Sequence, residues 1–281
     1  MKPRKLKAVA SAFVATGMLA AFASCGGAGN SGGEAAKGKT LNITGSSSVF
    51  PLMTALADAY IVTHKDVKID VVMLDSGTGI KDAQEGLNDF GMASRDLKKT
   101  ETGVVCKRIA TDGIAVVVKP GNAVSDVTSR ELYDLYANGT PVQSVLTAGI
   151  TRESGSGTRD AFGELIKNAN GDALKKLPTL ASVISQQNST DGVKTEIAKN
   201  ENLVGYISMG SLDSSVKALS FEGVAATIEN IVNGTYALSR PFNIVYRSEA
   251  SLGETAKAFI AYIMSEEGQA IVEKEGYVKA A

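Results

Sequence analysis

Short apolar runs alternate with stretches of helical spacing through most of this chain. Residues 40–44 read as a strand, and 50–63 follow with Leu52, Leu56, Ala59 and Tyr60 at helical intervals. Pro51 suits a first helical turn. Further strands are predicted over 67–74, 89–93 and 114–118, with a short helix over 80–87. The β-branched run 114–118 stops at Lys119-Pro120-Gly121-Asn122, where the chain is expected to cross between domains. Beyond it, helices are predicted over 129–137 (Ser129 as N-cap), 159–168 and 190–199, and strands over 150–152 and 203–208. Apolar segments 216–221 and 228–233 lead to a strand over 242–246 and to helical spacing over 256–264 and 265–273. This alternation predicts an α/β fold with mostly parallel sheets.

Four of the strand-to-helix junctions are rich in Ser, Thr and Gly. They are Gly45-Ser46-Ser47-Ser48, Ser76-Gly77-Thr78-Gly79, Ser154-Gly155-Ser156-Gly157-Thr158 and Asn188-Ser189-Thr190-Asp191-Gly192. A helix start leaves N–H donors unpaired and carries partial positive charge. Hydroxyls add donors, and glycine lets a ligand approach the backbone. One such junction is ordinary capping; several aimed at one point make a site for a small oxyanion. In open α/β sheets, ligands sit beyond the strand carboxyl ends, where these junctions fall.

The 281 residues suffice for two modest domains, and 44% hydrophobic with 21% charged residues is an ordinary globular balance. A net charge of −1 argues against a nucleic-acid surface. The start of the chain reads as an export signal over 1–24, with a basic Lys2–Lys7 region and a short Ala-rich apolar stretch. Ala23-Ser24-Cys25 resembles a lipoprotein cleavage box, with Phe22 where Leu is usual, so Cys25 is the expected lipidation site. Residues 25–38 read as a flexible tether. Removing 1–24 leaves 25 basic against 30 acidic residues, about −5, so an anion must be held by aligned local donors. With Cys25 lipidated, Cys106 has no disulfide partner and is expected to be a buried apolar residue.

Enzyme signatures are thin. No Lys follows Gly157 as a phosphate-binding nucleotide loop requires, and no strand–GxGxxG–helix unit is present. The single histidine, His64, lies in a turn, and no His/Cys/carboxylate group has metal-site spacing. No catalytic residue, metal or cofactor is expected. The densest element is 151–159, where Arg152 offers a planar fork beside Ser156, Gly157 and Thr158. Ser94-Arg95-Asp96 mixes donor, cation and acceptor, and Asp112 precedes the strongest strand. A carboxylate matters here: it accepts the O–H that phosphate keeps near neutral pH, but meets only lone pairs and charge on sulfate.

In chain order, Thr44-Gly45-Ser46-Ser47-Ser48-Val49-Phe50-Pro51-Leu52, Asp75-Ser76-Gly77-Thr78-Gly79, Gly91-Met92-Ala93-Ser94-Arg95, Asp112-Gly113-Ile114-Ala115-Val116 and Arg152–Arg159 resemble the substrate-binding lipoproteins of bacterial Pst-type phosphate ABC transporters, in their shorter branch. Asp191-Gly192 and Gly205-Tyr206-Ile207 also match. The resemblance implies a two-lobed periplasmic-binding-protein fold of type II, each lobe a mixed sheet flanked by helices, with the ligand in the interlobe cleft. Lobe 1 is expected over 39–117 plus 218–281 and lobe 2 over 118–217. The implied activity is extracytoplasmic binding of inorganic phosphate and delivery to the permease and ATPase subunits of an importer. The protein would be a monomer at the cell membrane, facing the periplasm or outer face and touching the membrane only through its lipid. The resemblance implies phosphate contacts from Ser47, Ser48, Ser76, Arg152, Ser156, Gly157 and Thr158; Ser46, Val49, Ser94, Arg95 and Asp112 are further candidates. Longer members carry a proton-accepting Asp where this chain has Arg95, so Asp112 and then Asp96 are the candidate acceptors. A receptor for sulfate, molybdate or tungstate is the alternative. The Asn188 junction is read as a structural cap.

Overall fold

The computed structural model describes residues 39–280. The export signal, the tether and Cys25 lie outside them. Chain order begins with β1 (Thr40–Ser46), α1 (Phe50–Thr63), β2 (Lys68–Leu74), α2 (Ser76–Glu85), β3 (Phe90–Ala93) and β4 (Val105–Val118). It continues with β5 (Asp126–Val127), α3 (Ser129–Asn138), β6 (Ala148–Arg152), α4 (Gly157–Leu165), β7 (Ile184–Gln187), α5 (Thr190–Lys199) and β8 (Leu203–Ser208). The return comprises β9 (Lys217–Ala218), β10 (Ser220–Phe221), α6 (Ile228–Val232), β11 (Ser239–Tyr246), α7 (Glu254–Met264), α8 (Glu266–Lys274) and β12 (Val278–Lys279).

The main sheet runs β2-β1-β3-β11-β4-β8-β6-β7. Its two flanks are parallel: β1 with β2 and β3, and β6 with β7 and β8. Its centre is antiparallel, because β11 lies against β3 and β4, and β4 against β8. The sheet is therefore mixed, as the resemblance implied, rather than mostly parallel as the alternation alone suggested. A return strand that re-enters the sheet from the far end of the chain leaves no trace in local periodicity.

Two sets of cores form along this sheet. The first gathers Leu41 to Ala110 and then Phe242 to Tyr277, with α1, α7 and α8 covering the strands. The buried residues of the second all lie between Ile114 and Leu238. The crossing points differ from the expected ones. The chain leaves the first core within β4, between Ala110 and Ile114, not at 117–120. It returns between Leu238 and Phe242, not near Lys217, because Leu219, Phe221, Ile231 and Tyr236 bury against the second core. β4 and β11 thus carry the chain across side by side.

Local chemistry explains the other departures. α2 starts at Ser76, earlier than its apolar spacing suggests, because Asp75 caps it by accepting the Thr78 N–H at 2.9 Å. α3 is capped by Thr128, not Ser129, in a reciprocal capping box with Glu131. Gly45, at φ +134°, lets β1 turn tightly beside Met92, where any side chain would strike the Met92 carbonyl. Cys106 is exposed on β4, not buried.

Candidate hydroxyl-lined anion site

Four helices begin at one place between the two cores. At the end of β1 the Ser46 carbonyl accepts the Val49 N–H at 3.1 Å, and the chain turns into α1. α2 begins at Ser76. Ser156 caps α4 by accepting the Arg159 N–H at 3.3 Å, and Ser189 caps α5 by accepting the Gly192 N–H at 3.0 Å. Their first N–H groups have no acceptors within their own helices, and their dipoles favour negative charge.

The side chains at these starts are buried and touch one another. Ser46, Ser47, Ser48, Ser76, Ser94, Arg152, Ser156, Thr158 and Thr190 are all buried. The Ser46 hydroxyl donates to Ser94 Oγ at 2.9 Å, and the Ser94 N–H donates to Ser76 Oγ at 3.1 Å. Ser48 Oγ lies 2.9 Å from Thr158 Oγ1 and 3.4 Å from Thr190 Oγ1. Gly157 sits where a Cβ would collide with the Ser76 and Ser94 hydroxyls. The Gly77 N–H reaches the Gly155 carbonyl at 3.1 Å, so backbone joins backbone between the first half and the second.

Arg152 supplies the charge. Its Nη2 donates to Ser47 Oγ at 2.9 Å and to Glu153 at 2.7 Å, its Nε donates to Glu153 at 2.8 Å, and its Nη1 lies 3.4 Å from Thr190 Oγ1. Glu153 thus orients the fork from outside while Ser47 and Thr190 meet it from within.

Three candidates take other roles. Val49 turns its side chain into the first core and commits its N–H to Ser46. Arg95 is buried but held by Glu101 through two 2.7 Å bonds, with its Nε 3.0 Å from Asp160 of α4. Burial opposes the Glu101 charge, yet the bonds from Arg95 and the Lys98 N–H hold its carboxyl below the usual range. Asp112, the first candidate acceptor, is saturated. One oxygen accepts from Ser208 Oγ at 2.9 Å and the Met209 N–H at 3.2 Å; the other accepts from Arg240 at 3.0 and 2.9 Å. Asp112 and Arg240 pair across β4 and β11, at the crossing between the cores. Burial pushes the Asp112 carboxyl up and the Arg240 guanidinium down. Asp96, the second candidate, is exposed.

Thr190 is the residue missed. The junction read as a mere cap contributes a buried hydroxyl to the cluster, and its one signal was its place directly after the capping Ser189. Among the described residues no three His, Cys, Asp or Glu side chains gather to hold a metal. His64 stacks on Tyr60 at 3.8 Å, with its Nδ1 3.0 Å from Thr63 Oγ1 and from the Tyr60 carbonyl.

The PBP superfamily domain matches residues 30–267. The phosphate-binding protein PstS 2 of Streptococcus agalactiae is 46% identical over 133 residues, covering 46% of this chain; the chain spans 44% of that relative's length. The phosphate-binding protein PstS of Bacillus subtilis is 30% identical over 300 residues, covering 98% of this chain and 94% of its own. A crystal structure from Clostridium perfringens, described as a phosphate ABC transporter substrate-binding protein with bound phosphate, superposes with TM-score 0.79 at 39% identity, covering 86% of this chain and all of that one. An ABC-type phosphate transport receptor from Vibrio cholerae gives 0.68 at 33% identity, over 86% of this chain and all of its own. The chain belongs to the PBP superfamily, within the branch formed by the PstS proteins.

Proposed function

We propose that this protein binds inorganic phosphate on the extracytoplasmic side and delivers it to the membrane permease and ATPase of an ABC importer. The observation that carries this reading is the convergence of four helix starts and the Arg152 fork on one buried hydroxyl cluster. Partial charges, hydroxyl donors and one guanidinium suit a small tetrahedral anion. Ser46, Ser47, Ser48, Ser76, Ser94, Arg152, Ser156, Gly157, Thr158 and Thr190 are the proposed contacts. The direct bonds across the site, Gly77 to Gly155 and Arg152 to Ser47, belong to a closed arrangement. Closure around the anion would mark the loaded form for docking. We read the protein as a carrier rather than an enzyme. The hydroxyls bond to one another and to N–H donors, and His64 is engaged by its own helix end.

Isothermal calorimetry with phosphate on the purified mature protein is expected to show one site per chain. Absence of binding at micromolar protein would sink the reading. Among the described residues no helix is long and apolar enough to cross a membrane. We propose that a lipid on Cys25 tethers the domain. Mass spectrometry of the native N-terminus should then find a diacylglyceryl-modified Cys25 as the first residue, and an unmodified N-terminus would remove the anchor.

A further inference from the structure

The buried hydroxyl cluster contains no carboxylate. Among the described residues Asp112 is the one fully buried acidic side chain, and its two oxygens already accept four bonds. The nearby carboxylates are turned to partners other than the cluster's hydroxyls. Asp75 accepts the Thr78 N–H at 2.9 Å and the Thr78 hydroxyl at 2.7 Å; Glu153 accepts Arg152 with both oxygens; Glu101 accepts Arg95 with both. Asp160 lies against Arg95 and Lys98, and Asp96 is exposed.

Within the cluster itself, the side-chain acceptors that the proton of a bound hydrogen phosphate can meet are therefore hydroxyl oxygens. Most of these oxygens already receive a fixed donor. Ser47 receives the Arg152 fork, Ser76 the Ser94 N–H, Ser46 the Ser48 N–H, and Ser156 the Arg159 N–H. Thr190 faces the Arg152 fork, and Ser94 accepts the Ser46 hydroxyl. Ser48 and Thr158 differ. Their hydroxyls face only other hydroxyls, and at 2.9 Å either can be the donor. A rotatable hydroxyl can turn its hydrogen toward a bare oxygen or its lone pair toward an O–H.

We propose that the Ser48–Thr158 pair is the specificity-determining element of this site, and that it admits tetrahedral oxyanions whether or not they carry a proton. The inference rests on the oxyanion reading above. A buried carboxylate aimed at the ligand would reject an unprotonated anion by about 10⁴-fold or more, as unmatched buried polar groups do. Without one, sulfate should bind within about 100-fold of phosphate.

Calorimetry at pH 7.5 with sodium phosphate and sodium sulfate tests this on the mature protein. Sulfate binding within about 100-fold supports the proposal, and a larger gap overturns it. Failure of phosphate itself to bind would instead remove the functional reading. Ser48→Ala and Thr158→Val should each weaken phosphate several-fold more than sulfate, since only phosphate needs an acceptor. Equal losses for both anions in both variants would reduce the pair to simple donors and overturn its assigned role.

Discussion

Replacing Arg152 with alanine is expected to weaken phosphate binding by on the order of 100-fold or more while leaving the fold intact. Three buried guanidinium groups are present among the described residues, but Arg95 is committed to Glu101 and Arg240 to Asp112. Arg152 alone reaches the hydroxyl cluster, through Ser47 and Thr190. Truncating one side of a desolvated, hydrogen-bonded charge contact costs about 2–5 kcal/mol of binding. Alanine would also leave the Glu153 charge uncompensated beside the anion. Glu153 keeps 15% of its side chain in water, so it can swing outward and the fold should survive. Arg152→Lys preserves charge but loses the planar fork, and should fall between wild type and alanine. Titration calorimetry gives the affinities, and thermal melts of the anion-free proteins separate a lost contact from a lost fold. An Arg152→Ala protein within threefold of wild type would remove Arg152 from the site.

Asp112→Ala should produce the largest loss of stability. It strands the Arg240 guanidinium in a fully buried position, having removed the carboxylate that holds Nε and Nη2 at 3.0 and 2.9 Å. An uncompensated buried charge costs about 3–5 kcal/mol. For a domain of this size that corresponds to a melting temperature roughly 6–20 °C lower. Asp112→Leu combined with Arg240→Met should lose less than Asp112→Ala alone, since neither charge is then stranded. The two residues face each other across β4 and β11, so the pair also fixes the alignment of these strands where they cross between the halves. A melt of Asp112→Ala within 1 kcal/mol of wild type would show that Arg240 finds another partner.

Much of the architecture was readable because its signals are local. α1 and β8 carry apolar positions at regular spacing, and α5 opens directly behind its Ser189 cap; all three run over their expected ranges. The early turns of α2 and α4 were hidden because Ser76-Gly77-Thr78-Gly79 and Gly157-Thr158 have no apolar period. The first part of β4 was hidden because Lys107, Asp112 and Gly113, residues that strands disfavour, stand ahead of the β-branched run that begins at Ile114. Among the site residues, the serines and Arg152 lie in contiguous motifs, and the structure gathers them. The fates of Arg95 and Asp112 depended on Asp160 and Arg240, which no local pattern links to them. A carboxylate before a strong strand looks like an available acceptor until its distant partner fills its lone pairs.

The side-by-side crossing of β4 and β11 also sets an order on vectorial synthesis. Every buried residue of the second set of cores has been synthesised once Leu238 is made. The first core still lacks Phe242 to Tyr277, and with them the strand that covers β3 and the helices that close over α1. A chain ending at Leu238 and clear of the ribosome would therefore hold every buried apolar residue of its interrupting half, while its N-terminal half exposed the unpaired edge of β3 to water. The half that begins first is the half that must finish last.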